Sequence, residues 1–232
     1  METTPLTGKL VYGFGDSIVY GHTHPEYCFL RQLAEKHGFR LENYAVNGAT
    51  VMRSDNHILA EVENAPEEQP DFIVFNGFTN DCYASAEGKI GQISDGFDGP
   101  FDDTLFVPGF EKIIRTMKNK YPQAKLIYVA MHRSNARPDM ITENGERVSV
   151  QALMQRLTHE VCAKWGVTIA DLWNESPFDT NLPGMSEKYI IDGAGSHPNE
   201  EACRRFYVPM VEKAMLRVSW VCQGDGSFDT FL

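Results

Sequence analysis

Short apolar runs alternate with amphipathic stretches along almost the whole of this chain. The runs Lys9–Phe14, Leu41–Ala45, Phe72–Asn76, Lys125–Ala130 and Thr168–Asp171 have the length and bounding residues of strands. Phe72–Asn76 and Lys125–Ala130 are the clearest, because their centres are unbroken runs of β-branched, aromatic and other apolar residues, as strands covered on both faces require. Between the runs the period becomes helical. After Pro108, which suits a first helical turn, Phe110, Ile113, Ile114, Met117 and Tyr121 recur at helical spacing until Pro122 stops them. Val150, Leu153, Met154, Leu157, Val161 and Trp165 form a second stripe, with Gly166 placed to cap it. A further helix is expected over Glu26–His37, closed by Gly38. The last begins near Asn199, carries Ala202, Phe206, Met210 and Val211, and is expected to be kinked or interrupted by Pro209.

Strands alternating with helices predict an α/β fold, a three-layer α/β/α sandwich around a five-stranded parallel sheet. No repeat, low-complexity tract or linker divides the 232 residues, so one domain over 1–232 is expected. The longest stretch with neither period is Ala84–Phe106, rich in Gly and Asp and interleaved with Phe97, Phe101 and Phe106. Loops of that length usually serve function, and this one reads as a lid or pocket wall. The tail Val218–Leu232, with Trp220 and Phe231, fits no element and is left to pack on the body or on a second subunit of a homo-oligomer.

Charge and cysteine usage narrow the partners. A net charge of −11, from 32 acidic and 21 basic residues, repels phosphate backbones and anionic lipids, so neither nucleic acid nor membrane is an expected partner. No apolar stretch approaches the roughly 20 residues of a membrane span. Met1–Pro5 lacks the basic-then-apolar pattern of a secretory signal, which points to a cytoplasmic location. Five cysteines without a Cys-x-x-Cys pair argue against a disulfide framework and a structural zinc site. Cys162 falls on the apolar side of its helix. His22-x-His24 lacks a third ligand, so no metal is expected either.

The chemistry lies in four short motifs. Gly15-Asp16-Ser17 ends the first apolar run, Asn47-Gly48 follows the second, Gly77-Phe78-Thr79-Asn80-Asp81 follows the third, and His197-Pro198-Asn199 precedes the last helix. An open parallel sheet binds ligands beyond the carboxyl ends of its strands, so the first three motifs converge on one edge. Each alone has a simpler reading: a helix cap at Asp16-Ser17, and turns at Asn47-Gly48 and Asn80-Asp81. Together they supply a nucleophile, two oxyanion donors and a base. A serine hydroxyl is almost wholly protonated at neutral pH and attacks an ester only when an imidazole takes its proton. Of seven histidines, His197 has the best context and His132, at the end of the fourth strand, is its rival. His22 and His24 could line a pocket near Ser17, while His37, His57 and His159 read as solvated or interface positions.

In this order the motifs resemble the SGNH (GDSL-type) hydrolase family over nearly the whole chain. The resemblance implies a flavodoxin-like fold and an esterase that works through a covalent acyl-enzyme on a small-molecule ester, with no cofactor and no metal. It assigns Ser17 as nucleophile and His197 as base. It gives the oxyanion to the backbone N–H groups of Ser17 and Gly48 and to the side-chain amide of Asn80. The family's aspartate three residues before the histidine is Ala194 here, and Asp192 lies five before. Gly193 and Gly195 leave that loop pliable enough for Asp192 to reach the imidazole. The alternative is a Ser–His pair steadied by a backbone carbonyl.

The family handles lipid esters, thioesters and acetylated sugars. A short acyl group, such as acetyl on a carbohydrate, is the expected substrate. Asp16, His132 and Arg133 are candidate contacts, with Asn135 and Arg137 behind Arg133. A lysophospholipase or thioesterase on the same site is the alternative activity, and a non-catalytic carbohydrate-binding protein is the alternative class. Gly13-x-Gly15 after the first strand hints at a dinucleotide site, but the third glycine of that fingerprint is missing.

Overall fold

The computed structural model describes residues 3–134, 136–141, 144–191 and 195–220, and its frame is a five-stranded parallel sheet. In chain order the elements are β1 (Leu10–Phe14), α1 (Ser17–Tyr20), α2 (Phe29–His37), β2 (Arg40–Asn43), α3 (Ile58–Asn64), β3 (Phe72–Phe75), α4 (Cys82–Ala86), α5 (Phe106–Lys120) and β4 (Lys125–Ala130). There follow β5 (Asp139–Ile141), β6 (Arg147–Ser149), α6 (Val150–Trp165), β7 (Thr168–Asp171), α7 (Leu172–Glu175), α8 (Met185–Tyr189), α9 (Glu200–Ala202) and α10 (Val208–Trp220). The main sheet runs β2-β1-β3-β4-β7, the flavodoxin-like order, while β5 and β6 pair as a small antiparallel ribbon.

Every residue of β1 and β3 is buried, as is all of β4 after Lys125. Burying each such Val, Ile or Phe is worth about 1.5–3 kcal/mol, so these three central strands anchor the fold. Helices α2 and α10 pack together on one face, and α3, α5 and α6 line the other. This is the expected three-layer sandwich. In such a sheet the chain leaves β1 and β3 toward opposite faces, opening a crevice at their carboxyl ends.

Local chemistry explains where the elements stop. Ser149 caps α6 by accepting the Ala152 N–H at 3.3 Å, and Gly166 closes it at φ +61°. Helix α2 starts at Phe29, later than expected, because Pro25–Tyr27 makes a 3-10 turn and Cys28 is extended before the helix restarts. Pro209 does not break the last helix. It has no N–H to donate, and its ring would crowd the carbonyl four residues back. The wide π turn Cys203–Tyr207 immediately before α10 absorbs both faults.

The Ala84–Phe106 segment opens with α4 and then becomes a strap over α5 and α6. Lys164 Nζ donates to the carbonyls of Ser94 at 2.6 Å and Gly96 at 2.7 Å, and Phe97 packs edge-on against Trp165 at 5.0 Å. Lys164 and Trp165 sit in the last turn of α6, which feeds the start of β7. The middle of the segment therefore lies toward the amino edge of the sheet, away from the carboxyl edge that a lid would cover. Cys28, Cys82, Cys162 and Cys203 are buried free thiols, while Cys222 and the tail from 221 lie outside the described residues. Among the described residues no helix is long and apolar enough to cross a membrane.

Candidate active site

The chain leaves β1 through Gly15, at φ +128°, where an added Cβ would collide with Asn76 Oδ1 and lie 2.7 Å from the Asn76 carbonyl. Only glycine lets the exits of β1 and β3 pass so closely. Asp16 follows, wholly buried, and is bound to both sides of that gap. Its Oδ1 accepts the Ile18 N–H at 2.9 Å and Asn76 Nδ2 at 2.7 Å, while its own N–H donates to Asn76 Oδ1 at 3.0 Å. Asp16 is therefore the N-cap that fixes Ser17 as the first residue of α1. Burial pushes its carboxyl above the ordinary range, and the expectation that it touches substrate is corrected: it has no surface to offer.

Ser17 Oγ lies 2.8 Å from His197 Nε2, across 180 positions of sequence. With Nε2 unprotonated, the hydroxyl donates and the ring is poised to take its proton. The loop that carries His197 is braced from both sides. The Ile191 N–H donates to the His197 carbonyl at 3.0 Å, and Arg137 Nη2 donates to Ser196 Oγ at 2.6 Å. Asn199 caps α9 through the Ala202 N–H at 3.0 Å and donates Nδ2 to the Lys188 carbonyl at 2.8 Å. Arg137 thus holds the loop that carries His197, rather than standing as an alcohol contact or as loop surface. Asp192 and Asn135 lie outside the described residues.

The expected oxyanion donors come from three elements. Ser17 N–H, in the first turn of α1, has no intrahelical acceptor, and neither it nor Gly48 N–H finds one among the described residues. Gly48 sits at φ +79° in a loop held by Asn47 Nδ2 on the His22 carbonyl at 3.1 Å. Asn80, in the turn after β3, donates Nδ2 to the Ala49 carbonyl at 2.8 Å, which ties it to the residue after Gly48. That nitrogen carries a second hydrogen.

Two acids, the buried Asp81 and the half-buried Glu61, make contacts that the sequence reading did not assign. Asp81 accepts the N–H groups of Val51 at 3.0 Å and Met52 at 2.8 Å, and burial pushes its carboxyl up to about 7. Glu61 accepts the Gly15 N–H at 3.0 Å, and burial pushes it up to about 9, so it is uncharged at neutral pH.

His132 is neither base nor substrate contact. Its ring is buried, stacks on Phe178 at 4.1 Å, and has Nδ1 2.7 Å from Tyr207 Oη. Burial pushes its pKa down to about 3, so it stays neutral. Arg133 is also drawn away, its guanidinium 5.5 Å over the Trp173 ring and its carbonyl accepting the Thr180 N–H at 3.0 Å. The histidines read as solvated or interface positions each have a partner within the chain. His37 bonds Glu212 at 2.7 Å, His57 the Val51 carbonyl at 2.8 Å, and His159 the Asp171 carboxylate at 2.9 Å.

A cavity of about 290 Å³ opens beside Ser17. Ile18, Tyr27, Ile191 and Pro198 give it apolar walls, and His24, Asn199 and Glu200 add polar groups. His22 and His24 both line it, as expected, and no residue of 84–106 does. Unforeseen was the position of the His22 ring, stacked on His197 at 3.6 Å and 7°. Among the described residues no three His, Cys, Asp or Glu side chains gather to hold a metal ion.

The model of the GDSL-like lipase/acylhydrolase family matches residues 14–205, a span that takes in every motif above. A crystal structure of a Lactobacillus plantarum protein superposes with a TM-score of 0.71 at 19% identity, covering 89% of this chain and 96% of that one. A member of the lipolytic protein G-D-S-L family from Veillonella parvula gives 0.60 at 17% identity, over 90% and 98% of the two chains. The psychrotrophic esterase EstA from a Pseudoalteromonas species, in a structure inhibited by monoethylphosphonate, gives 0.59 at 13% identity, over 93% and 100%. At these identities the structures speak for the fold. No curated protein matches the chain.

Proposed function

The chain belongs to the GDSL-like lipase/acylhydrolase family and is an ester hydrolase, and from that premise we propose that Ser17 is its nucleophile and His197 its general base. The observation that carries this reading is the 2.8 Å contact between His197 Nε2 and the Oγ of Ser17, a residue that lines the cavity. As Oγ attacks the acyl carbon, its proton passes to Nε2 and the carbonyl oxygen becomes an oxyanion. The N–H groups of Ser17 and Gly48 and the spare hydrogen of Asn80 Nδ2 meet that charge. Collapse expels the alcohol, which takes the proton from Nε2, and the acyl group stays on Oγ. Water, deprotonated by the same nitrogen, then releases the acid. Asp192 is the carboxylate this reading assigns to steady His197.

For substrate we propose a short acyl ester of a polar alcohol, such as an acetylated carbohydrate. The cavity volume supports a small substrate, since it falls at the lower end of the about 300–1,000 Å³ usual for small-molecule sites. His24, Asn199 and Glu200 offer partners for hydroxyl groups. A series of p-nitrophenyl esters of increasing acyl length, run beside acetylated sugars, tests the assignment. The reading expects kcat/KM to be highest for acetyl, to fall roughly tenfold or more by octanoyl, and acetate to be released from the sugars. A maximum at long acyl chains would replace it with a lysophospholipase or thioesterase.

A further inference from the structure

His22 stands just past the end of α1 at φ +53°, the only described non-glycine residue in the left-handed region of φ. A side chain is strained there, and such strain persists only where the surroundings over-determine it. Three contacts do so. The His22 N–H donates to the Ser17 carbonyl at 2.9 Å, the His22 carbonyl accepts Asn47 Nδ2 at 3.1 Å, and the ring lies flat against His197. One residue therefore touches the turn of the nucleophile, the loop of Gly48 and the base. A glycine would make the first two contacts with less strain. The ring accounts for the histidine.

Resting on the reading of Ser17 and His197 as nucleophile and base, we propose that His22 is a positioning residue whose ring fixes the plane of the base. A hydrogen bond to Nε2 holds the His197 ring at one edge and by itself resists tilting out of the ring plane only weakly. A parallel ring at 3.6 Å opposes it and keeps water from that face. When attack makes His197 an imidazolium, the charge forms against the π face of its neighbour.

The test compares the native protein with His22→Gly and His22→Phe. Each is measured for the rate of Ser17 modification by a fluorophosphonate, for kcat and KM on p-nitrophenyl acetate, and for Tm. Glycine suits the φ, so His22→Gly is expected to fold with a Tm at or above native. Its kcat and its modification rate should fall roughly 10- to 100-fold, with KM changed less than about threefold. His22→Phe, which keeps an aromatic face, should regain most of that loss. Rates within about twofold of native in His22→Gly, a rise in KM alone, or a His22→Phe as slow as the glycine variant would each overturn the proposal. Failure of the native protein to react at Ser17 would instead remove the base assignment, and this proposal with it.

Discussion

Replacing Asn80 by alanine separates a catalytic amide from a structural one. Asn80 Nδ2 spends one hydrogen on the Ala49 carbonyl at 2.8 Å and, in the proposed mechanism, the other on the oxyanion. Losing one such donor costs about 2.7–4 kcal/mol in the transition state, so kcat should fall roughly 100- to 1,000-fold. KM should hardly move, because the ground-state carbonyl gains little from the same amide. The bond to Ala49 is half-buried and neutral, worth about 0.5–1.5 kcal/mol. At roughly 2–4 °C per kcal/mol for a chain of this size, Tm should drop only about 1–6 °C. Steady-state kinetics well below Tm, with a melting curve on the same sample, read the two effects apart. Asn80→Asp keeps the volume but turns an acceptor toward both Ala49 and the oxyanion, and should be at least as slow. A kcat within about fivefold of native alongside a lowered Tm would refute the reasoning and leave Asn80 as a brace between two loops.

Two further predictions concern stability. The hydrogen bond to Asp171 raises the His159 pKa above its ordinary 6.5, so that contribution is full below 6.5 and is lost as pH rises through the folded value. Burial alone would raise Asp171, but its bonds from His159 and Asn174 outweigh burial and hold it at about 2, so its contribution is present above 3.8 and lost as pH falls through about 2. Urea melts at about pH 5.5 and about pH 9 should show native stability declining at the higher pH by more than in His159→Gln, and equal declines would exclude the pair as the cause. The buried Glu111 carboxylate accepts Lys164 Nζ at 2.6 Å, Trp165 Nε1 at 3.0 Å and the Ser94 N–H at 2.8 Å. Lys164→Met would strand that carboxylate at a cost of about 3–5 kcal/mol, lowering Tm by roughly 6–20 °C with kcat unchanged well below Tm. A shift of only about 2 °C would show that the strap is held by its aromatic contacts instead.

What could be read from the sequence was what repeats or what is local. The strands Lys125–Ala130 and Thr168–Asp171 and the helix Val150–Trp165 fall where hydrophobic period and capping residues put them, because those signals act within a few residues. The convergence of Ser17, Gly48 and Asn80 was legible because the topology of a parallel sheet delivers strand ends to one edge, whereas His197 follows no strand and was picked out by the resemblance of its His-Pro-Asn motif. The misplaced features depend on distant partners. Ala84–Phe106 looks like a lid until Glu111 and Lys164, 53 positions apart, are seen to clamp it. His132 follows β4 just as an active-site residue would, and only Phe178 and Tyr207 reveal that it is interior. Asp16 reads equally as cap or contact until its burial is known. The stacking of His22 follows from a single backbone angle for which a lone histidine gives no warning.

The identity of the nucleophile is tested most directly by locating a covalent adduct. The native protein, Ser17→Ala and His197→Ala are incubated with a fluorophosphonate and followed by intact mass, then by peptide mapping. The native protein is predicted to gain one adduct, on the peptide that contains Ser17. Ser17→Ala should gain none, and His197→Ala should react at least about 100-fold more slowly, because the hydroxyl then has no base. An adduct on another residue, or labelling of Ser17→Ala at the native rate, would contradict the assignment of Ser17 and His197.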